Sequence, residues 1–179
     1  MIPLLSYTLS KISSYSSSDN KYIKGMEVTT HNMNIWKSFT KIRDYGPQPF
    51  VVNIDKITKR NDTFRSALWT GKYLQLTLMS IKPGGEIGLE QHPHLDQFLR
   101  IEEGQGIVKM GDTKDNLDFL EKVYDDYVVL IPAGKWHNLI NTGSKPIKLY
   151  SIYAPPQHPH GTVHNTRAES DAAEEHHNH

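Results

Sequence analysis

The chain has 179 residues, of which 37% are hydrophobic and 22% charged, so its length and composition predict one globular domain with polar extensions. Its 20 Lys and Arg residues balance 20 Asp and Glu residues, which predicts neither a nucleic-acid partner nor binding to an anionic membrane. The absence of cysteine excludes disulfides, thiolate metal sites and thiol nucleophiles, so any metal needs histidine, carboxylate or amide ligands.

The N-terminal stretch from residue 1 to about 30 is rich in serine and has little hydrophobic periodicity, so we expect a disordered leader. It lacks a basic segment followed by a long apolar run, and we therefore expect neither a secretory signal nor a membrane helix. Together with the lack of cysteine, this favours a cytoplasmic protein. The globular pattern begins only after Met26, so either Met1 or Met26 fits as the start.

A short amphipathic helix is predicted over residues 31–45, because apolar residues recur there at helical spacing. These residues are Ile35, Trp36, Phe39 and Ile42. The two prolines and the glycine at 46–49 end the helix.

Short strands separated by turns are predicted for the rest of the domain. The segments are 50–54, 64–69, 73–81, 97–101, 107–110, 127–131, 136–140 and 147–153. About eight short strands with glycine- or proline-containing turns between them predict a β-sandwich or barrel. The acidic stretch from Asp112 to Asp126 lacks the spacing of a calcium-binding loop, and we interpret it as a solvent-exposed segment.

Two stretches, 83–104 and 132–141, resemble the paired motifs of the cupin superfamily. The second motif of that family is Pro-x-Gly, two residues, His, three residues and Asn. It is matched by Pro132, Gly134, His137 and Asn141. The resemblance implies an all-β fold, the cupin double-stranded β-helix or jelly-roll barrel. We expect this domain over 31–160, with core motifs at 84–141 and a flexible His-rich tail at 161–179.

The first motif of the family is Gly, five residues, His-x-His, three or four residues, Glu, six residues and Gly. Counting from Gly84 places Glu90 and His92 in the His-x-His slot and Gln97 in the Glu slot. Pro93 supports this register, because proline lacks the N–H of a ladder residue and fits the first corner of a turn. The alternative register makes His94 a third histidine ligand.

The resemblance therefore implies one divalent metal, which can be Zn, Fe, Mn, Ni or Co, on a defined set of ligands. The expected ligands are Glu90, His92, Gln97 and His137. Family members commonly pair through a sheet edge, so we expect a homodimer, with the segment around Phe50 as a candidate for crossing to the partner.

Strand alternation predicts an apolar pocket around these ligands. Leu99 and Ile101 share a face with Gln97, as Leu139 does with His137. Tyr150 and Tyr153 lie on opposite faces of the last strand, so only one of them reaches the pocket. The histidines His158, His160 and His164 fit either a second metal cluster or a loop packed over the barrel mouth.

A further resemblance concerns function. The segment Glu90-Gln91-His92-Pro93 resembles the Gln-x-His-Pro signature of metal-dependent phosphomannose isomerases, and the chain resembles the small mannose-6-phosphate isomerase-like cupins. This implies a metalloenzyme acting on a small oxygenated or sugar-like substrate, as an isomerase or a dioxygenase. No catalytic acid–base pair stands out near the motifs. The alternative is a non-catalytic cupin that binds a small molecule.

Overall fold

The computed structural model describes residues 42 to 177, with side chains described to residue 174. The leader expected at 1–30 lies outside the described residues, as does the helix expected at 31–45 except for its last four residues. Those four residues are not helical.

The described chain is built mainly from short antiparallel strands. In chain order the elements are α1 (Ile54–Arg60), β1 (Arg65–Thr70), β2 (Gln75–Ile81), β3 (Glu90–Gln91), β4 (Asp96–Glu103), β5 (Gly106–Gly111), β6 (Phe119–Val123), β7 (Val128–Ile131), β8 (Trp136–Asn141), β9 (Ile147–Ala154), β10 (Val163–His164) and α2 (Arg167–His177).

Two antiparallel sheets form the fold. The larger sheet has six strands in the order β10-β1-β2-β9-β4-β7, and the smaller has four in the order β3-β8-β5-β6. One cluster of buried apolar residues draws on both sheets, with Leu99 and Leu149 from the larger sheet and Val108 and Leu139 from the smaller. The sequence prediction of an all-β jelly roll is confirmed.

Along β4 and β9 the side chains that point into the barrel change from apolar at one end to polar at the other. Ile101 faces Leu149 across the two strands, Leu99 faces Ser151, and Gln97 faces Tyr153. All six side chains are buried, and each fully buried Leu or Ile stabilises the fold by roughly 1.5–3 kcal/mol. Toward the other end of the strands the interior turns polar, and the candidate site lies there.

The strand predicted at 50–54 is wrong, because helix α1 begins at Ile54. The preceding residue, Asn53, caps the helix, and its side chain accepts a hydrogen bond from the Lys56 backbone N–H at 2.9 Å. Phe50 and Val52 pack instead on a second apolar cluster of the same chain.

Two polar segments of the chain form regular structure, and the first of them is solvent-exposed as expected. Strand β6 lies within the acidic stretch and pairs with β5 through its backbone, while only its last residue, Val123, is buried. The tail expected to be flexible at 161–179 instead forms β10, which pairs with β1, and helix α2, whose Ser170 is buried. Polar composition did not reveal either element, because β6 is held by backbone pairing with the preceding strand and β10 by pairing with β1, far away in the sequence.

Strand β7 is one edge of the larger sheet and exposes Val128 and Leu130. The homodimer and the cytoplasmic location expected from the sequence stay predictions. Among the residues that the structure describes, no helix is long and apolar enough to cross a membrane.

Candidate metal centre

Three of the four expected ligands come together in the barrel. One ligand atom each from Glu90, His92 and His137 lies within 4.8 Å of the others. Glu90 Oε1 is 3.2 Å from His137 Nε2 and 3.5 Å from His92 Nε2, and the two imidazole rings are 5.4 Å apart. Both histidines are buried, and Glu90 is nearly so.

Strand pairing brings these residues together. Glu90 on β3 is directly opposite His137 on β8, so their side chains leave the sheet on the same face. His92 follows the end of β3, where its carbonyl accepts a hydrogen bond from the Gly134 backbone N–H at 2.9 Å. Pro93 and His94 form the turn that follows, as the sequence predicts.

The hydrogen bonds of His137 define its tautomer. Its Nδ1 lies 3.0 Å from the Lys135 carbonyl, and a carbonyl oxygen only accepts, so Nδ1 carries the proton. In the neutral ring, Nε2 then presents a lone pair to the carboxylate of Glu90. Lone pairs facing each other at this distance repel unless a proton or a metal ion lies between them. A carbonyl that fixes the outer nitrogen of a histidine is typical of metal-ligating histidines.

Gln97, the fourth expected ligand, lies on β4 opposite Tyr153 and is only 2% exposed. Its Nε2 donates to Ser151 Oγ at 3.0 Å, and this bond orients the amide. Its Oε1 is buried and has no hydrogen-bond partner among the described residues. An amide oxygen left free in this way suits a metal ligand, and the assignment of Gln97 stays a prediction.

His94 is exposed in the turn and is not part of the group. The structure therefore gives no support to the alternative register. Among the described residues, the group of Glu90, His92 and His137 is the one cluster of three or more metal-ligating side chains.

The histidines after the last long strand do not form a second cluster in the described part of the chain. His158 is buried, and its ring packs edge-on against Tyr153 at 5.1 Å. The Gln75 side chain holds the His158 backbone, donating to its carbonyl at 2.8 Å and accepting from its N–H at 2.9 Å. His160 is exposed and His164 lies on β10. This arrangement matches the second sequence hypothesis, a loop packed on the barrel.

Tyr153 is the tyrosine of β9 that faces the interior. It is fully buried, and its ring lies 5.7 Å from that of His92. Tyr150 lies on the outer face, where it stacks with Phe98 at 6.1 Å. Of the two tyrosines that the sequence left open, Tyr153 is therefore the one that points into the barrel.

A buried arginine, which the sequence did not single out, adjoins the group. Arg65 on β1 is 1% exposed, and its Nη2 lies 3.6 Å from Glu90 Oε2. Its Nη1 donates to Ser170 Oγ at 3.0 Å and to Glu174 Oε1 at 2.9 Å, both on helix α2. Arg65 therefore links a candidate ligand to the C-terminal helix.

These contacts set the charge states of the site. Burial alone would raise the pKa of Glu90, but the neighbouring imidazoles of His137 and His92 and the charge of Arg65 outweigh it and hold the pKa well below its ordinary value. Burial raises the pKa of Tyr153, so the phenol keeps its proton. At neutral pH the site thus contains a carboxylate, a guanidinium and a neutral phenol.

Several buried polar atoms of the interior have no hydrogen-bond partner among the described residues. They are Arg65 Nε, Thr77 Oγ1, His92 Nε2, Gln97 Oε1, Tyr153 Oη and His158 Nε2. Buried polar groups in folded proteins are nearly always paired with protein, water or a ligand. Such a set around one group of ligating side chains fits a barrel that holds a metal ion together with water or a polar molecule.

A groove of about 450 Å³ gives access to this region. Its lining includes Glu90, His92, His158 and Glu174. Two of the candidate ligands therefore line a groove that reaches the surface beside helix α2.

Comparison with known proteins finds similarity over the part of the chain that carries the site. The cupin domain family matches residues 77–153, which include all four expected ligands. The chain is 65% identical over 134 residues to YrkC of Bacillus subtilis (strain 168), covering 75% of this chain and 72% of that protein. It is 40% identical over 124 residues to L612 of Acanthamoeba polyphaga mimivirus, covering 69% and 76%.

Solved structures show the same similarity. The crystal structure of BH2720 from Bacillus halodurans is 68% identical, with a TM-score of 0.73, over 73% of this chain and 99% of that one. A double-stranded β-helix protein from Klebsiella pneumoniae is 16% identical with a TM-score of 0.51, over 66% of this chain and 100% of that one, and this likeness concerns the fold alone.

Proposed function

We propose, from the premise that this chain belongs to the cupin superfamily, that it is a metalloenzyme acting on a small oxygen-containing substrate. One divalent metal would be held by Glu90, His92, Gln97 and His137. The observation that carries the proposal is the meeting of Glu90 Oε1 with the Nε2 atoms of His92 and His137 in a buried site.

The chemistry of the ligands fits this metal. Two neutral imidazoles, one carboxylate and one amide oxygen suit Zn, Fe, Mn, Ni or Co. A bound metal of this kind supplies Lewis acidity toward a carbonyl or water, and iron supplies dioxygen binding as well.

Other side chains of the barrel would orient the substrate and exclude water. Leu99 and Leu139 belong to the apolar cluster beneath the polar zone, and the groove beside α2 would admit a small molecule. Tyr153 keeps its phenolic proton and can donate it in a hydrogen bond. The reaction is either an isomerisation or a dioxygenation. The mannose-6-phosphate isomerase-like substrate suggested by the sequence stays a prediction.

The test is the metal content of the untagged protein, measured by mass spectrometry after purification and after adding back each ion. We expect about one ion per chain in the wild type and loss of it in a His92→Ala/His137→Ala variant. A His94→Ala/His160→Ala variant is the matched control, because it removes two exposed histidines. Circular dichroism checks that both variants fold.

The activity assay is then selected according to the ion that is found. Iron calls for a measurement of oxygen uptake, and zinc or manganese for a sugar isomerisation assay. Absence of metal under all conditions would contradict the proposal and leave a barrel that binds small molecules without catalysis.

A further inference from the structure

The buried atoms of the barrel without hydrogen-bond partners among the described residues fall into two groups: those that would ligate the metal and those that remain free to bind another molecule. The proposed function, on which this inference rests, assigns His92 Nε2 and Gln97 Oε1 to the metal. Of the other buried atoms without a partner among the described residues, four lie in the barrel interior: Arg65 Nε, Thr77 Oγ1, Tyr153 Oη and His158 Nε2.

All four of these atoms can donate a hydrogen bond. The guanidinium nitrogen of Arg65 only donates, while the two hydroxyl groups and one nitrogen of a neutral imidazole can donate or accept. None of the four is an obligatory acceptor. A molecule that offers several acceptors can therefore satisfy all four.

Strand register places these donors on one surface of the interior. Tyr153 lies directly opposite Gln75 on one side and Gln97 on the other, and Thr77 lies opposite Ser151. Tyr153 packs between the rings of His92 and His158, at 5.7 and 5.1 Å. Its hydroxyl lies beside Ser151 and in the field of Arg65, without a hydrogen bond of ordinary geometry.

The charges of the site favour an anion. Arg65 and Glu90 are buried and of opposite sign, and Glu174 adds a second carboxylate at the mouth of the groove. With a divalent ion bound, these two carboxylates face one guanidinium and one doubly charged ion, which leaves one net positive charge. An uncompensated charge in a low-dielectric interior attracts a counter-charge strongly.

We propose that the substrate bound beside the metal is a small monocarboxylate, whose oxygens accept hydrogen bonds from Tyr153 and Arg65. A monocarboxylate offers only acceptors and carries the single negative charge that the loaded site lacks. Tyr153 acts here as a binding residue, and its hydroxyl is not needed to hold the metal.

The experiment uses the full chain loaded with the metal that it retains, and measures binding by isothermal titration calorimetry. The probes are acetate and pyruvate, with acetamide as the neutral probe of the same shape and inorganic phosphate as the competing oxyanion. We expect both carboxylates to bind at least tenfold more tightly than acetamide or phosphate.

Two variants test whether Tyr153 is responsible for the preferential binding of carboxylates. Tyr153→Phe should weaken carboxylate binding by about tenfold, the usual effect of one hydrogen bond to a charged group, while it keeps its metal. Tyr150→Phe, on the outer face of the same strand, should bind as the wild type does.

Acetamide or phosphate binding as tightly as acetate would overturn the inference, as would a Tyr153→Phe variant with unchanged affinity. Metal content is measured on every sample. Loss of metal from the wild type therefore reports failure of the proposed metal site, whereas a metal-loaded protein without preference for carboxylates reports failure of this inference alone.

Discussion

Glu90 and His137 are directly opposite each other on β3 and β8, and Glu90 Oε1 lies 3.2 Å from His137 Nε2. The Lys135 carbonyl keeps the proton of His137 on the other ring nitrogen, so the pair presents two lone pairs to the same point. The second oxygen of Glu90 faces Arg65. One oxygen of the Glu90 carboxylate is thus available to ligate the candidate metal, while the other faces the buried guanidinium of Arg65.

Replacing this carboxylate with its neutral isostere tests its role as a ligand. A Glu90→Gln variant should bind the metal at least about tenfold more weakly, because the only anionic member of the ligand set is lost. Competition with a chromophoric chelator measures the affinity. Glu121→Gln, at an exposed position of β6, is the control and should match the wild type. Equal metal affinities for the wild type and the Glu90→Gln variant would show that Glu90 is not a ligand.

The assignment of Gln97 is tested by the same chelator competition. Gln97→Leu keeps a buried side chain of similar size but removes the free oxygen, and we expect metal affinity to fall about tenfold. Gln97→Glu adds a second negative charge to the site and should tighten binding of a divalent ion. Gln105→Leu, at an exposed position, serves as the control. If Gln97→Leu binds metal normally, the ion has three protein ligands.

The contact between Gln75 and His158 predicts how firmly the loop lies on the barrel. Gln75→Met would leave the N–H and carbonyl of His158 without partners, a loss of roughly 2 kcal/mol for two buried hydrogen bonds. Hydrogen exchange at the His158 amide should then accelerate by about tenfold or more. Gln157→Met, in the same loop but exposed, should leave that exchange unchanged.

The carboxylate of Asp44 predicts a pH dependence of stability. Burial alone would raise its pKa, but hydrogen bonds from Thr70, Gly161 and Gly46 outweigh this and lower the pKa below its ordinary value of 3.8. The contribution to stability is therefore fully present above pH 3.8, and it is lost as the pH falls through the lower pKa of the folded state.

An Asp44→Asn variant should lose roughly 2 kcal/mol of unfolding free energy at pH 7, because a neutral amide cannot accept all of these bonds. The difference from the wild type should shrink as the pH falls below 3.8. Urea unfolding across this pH range measures both effects. Asp112→Asn removes an exposed acid and should change stability by less than about 0.5 kcal/mol. If the difference in unfolding free energy between the wild type and Asp44→Asn grew as the pH fell, the lowered pKa of Asp44 would be contradicted.

Strands with clear alternation were predictable from the sequence. In β4, Leu99 and Ile101 alternate with Phe98 and Arg100, and the structure buries the first pair while the second points outward. Motif spacing likewise indicated Glu90 and His92 in spite of the more conspicuous His94. The structure brings Glu90 and His92 together with His137 and leaves His94 exposed in the turn. Spacing carries this information because it records where a strand ends and its turn begins.

Other features depend on partners that local sequence does not reveal. The apolar residues at 50–54 resemble a strand, but the cap at Asn53 begins a helix. Strand β6 is charged on both faces and is held by its backbone pairing with β5. Arg65 shares a strand face with Ala67, which was the one available signal that an arginine points inward. Its partners lie on β3 and α2, and neither was foreseeable from the segment around it.

The distances along the chain between site residues have a consequence for folding kinetics. Glu90 and His137 are 47 positions apart, and Arg65 and Glu174 are 109 positions apart. Closing loops of this length costs entropy before the contacts stabilise the fold, so we expect an ion at the site to join segments that meet late in folding. An interaction absent from the transition state slows unfolding without accelerating folding. The bound metal would therefore determine how long a folded molecule survives, and not how quickly it forms.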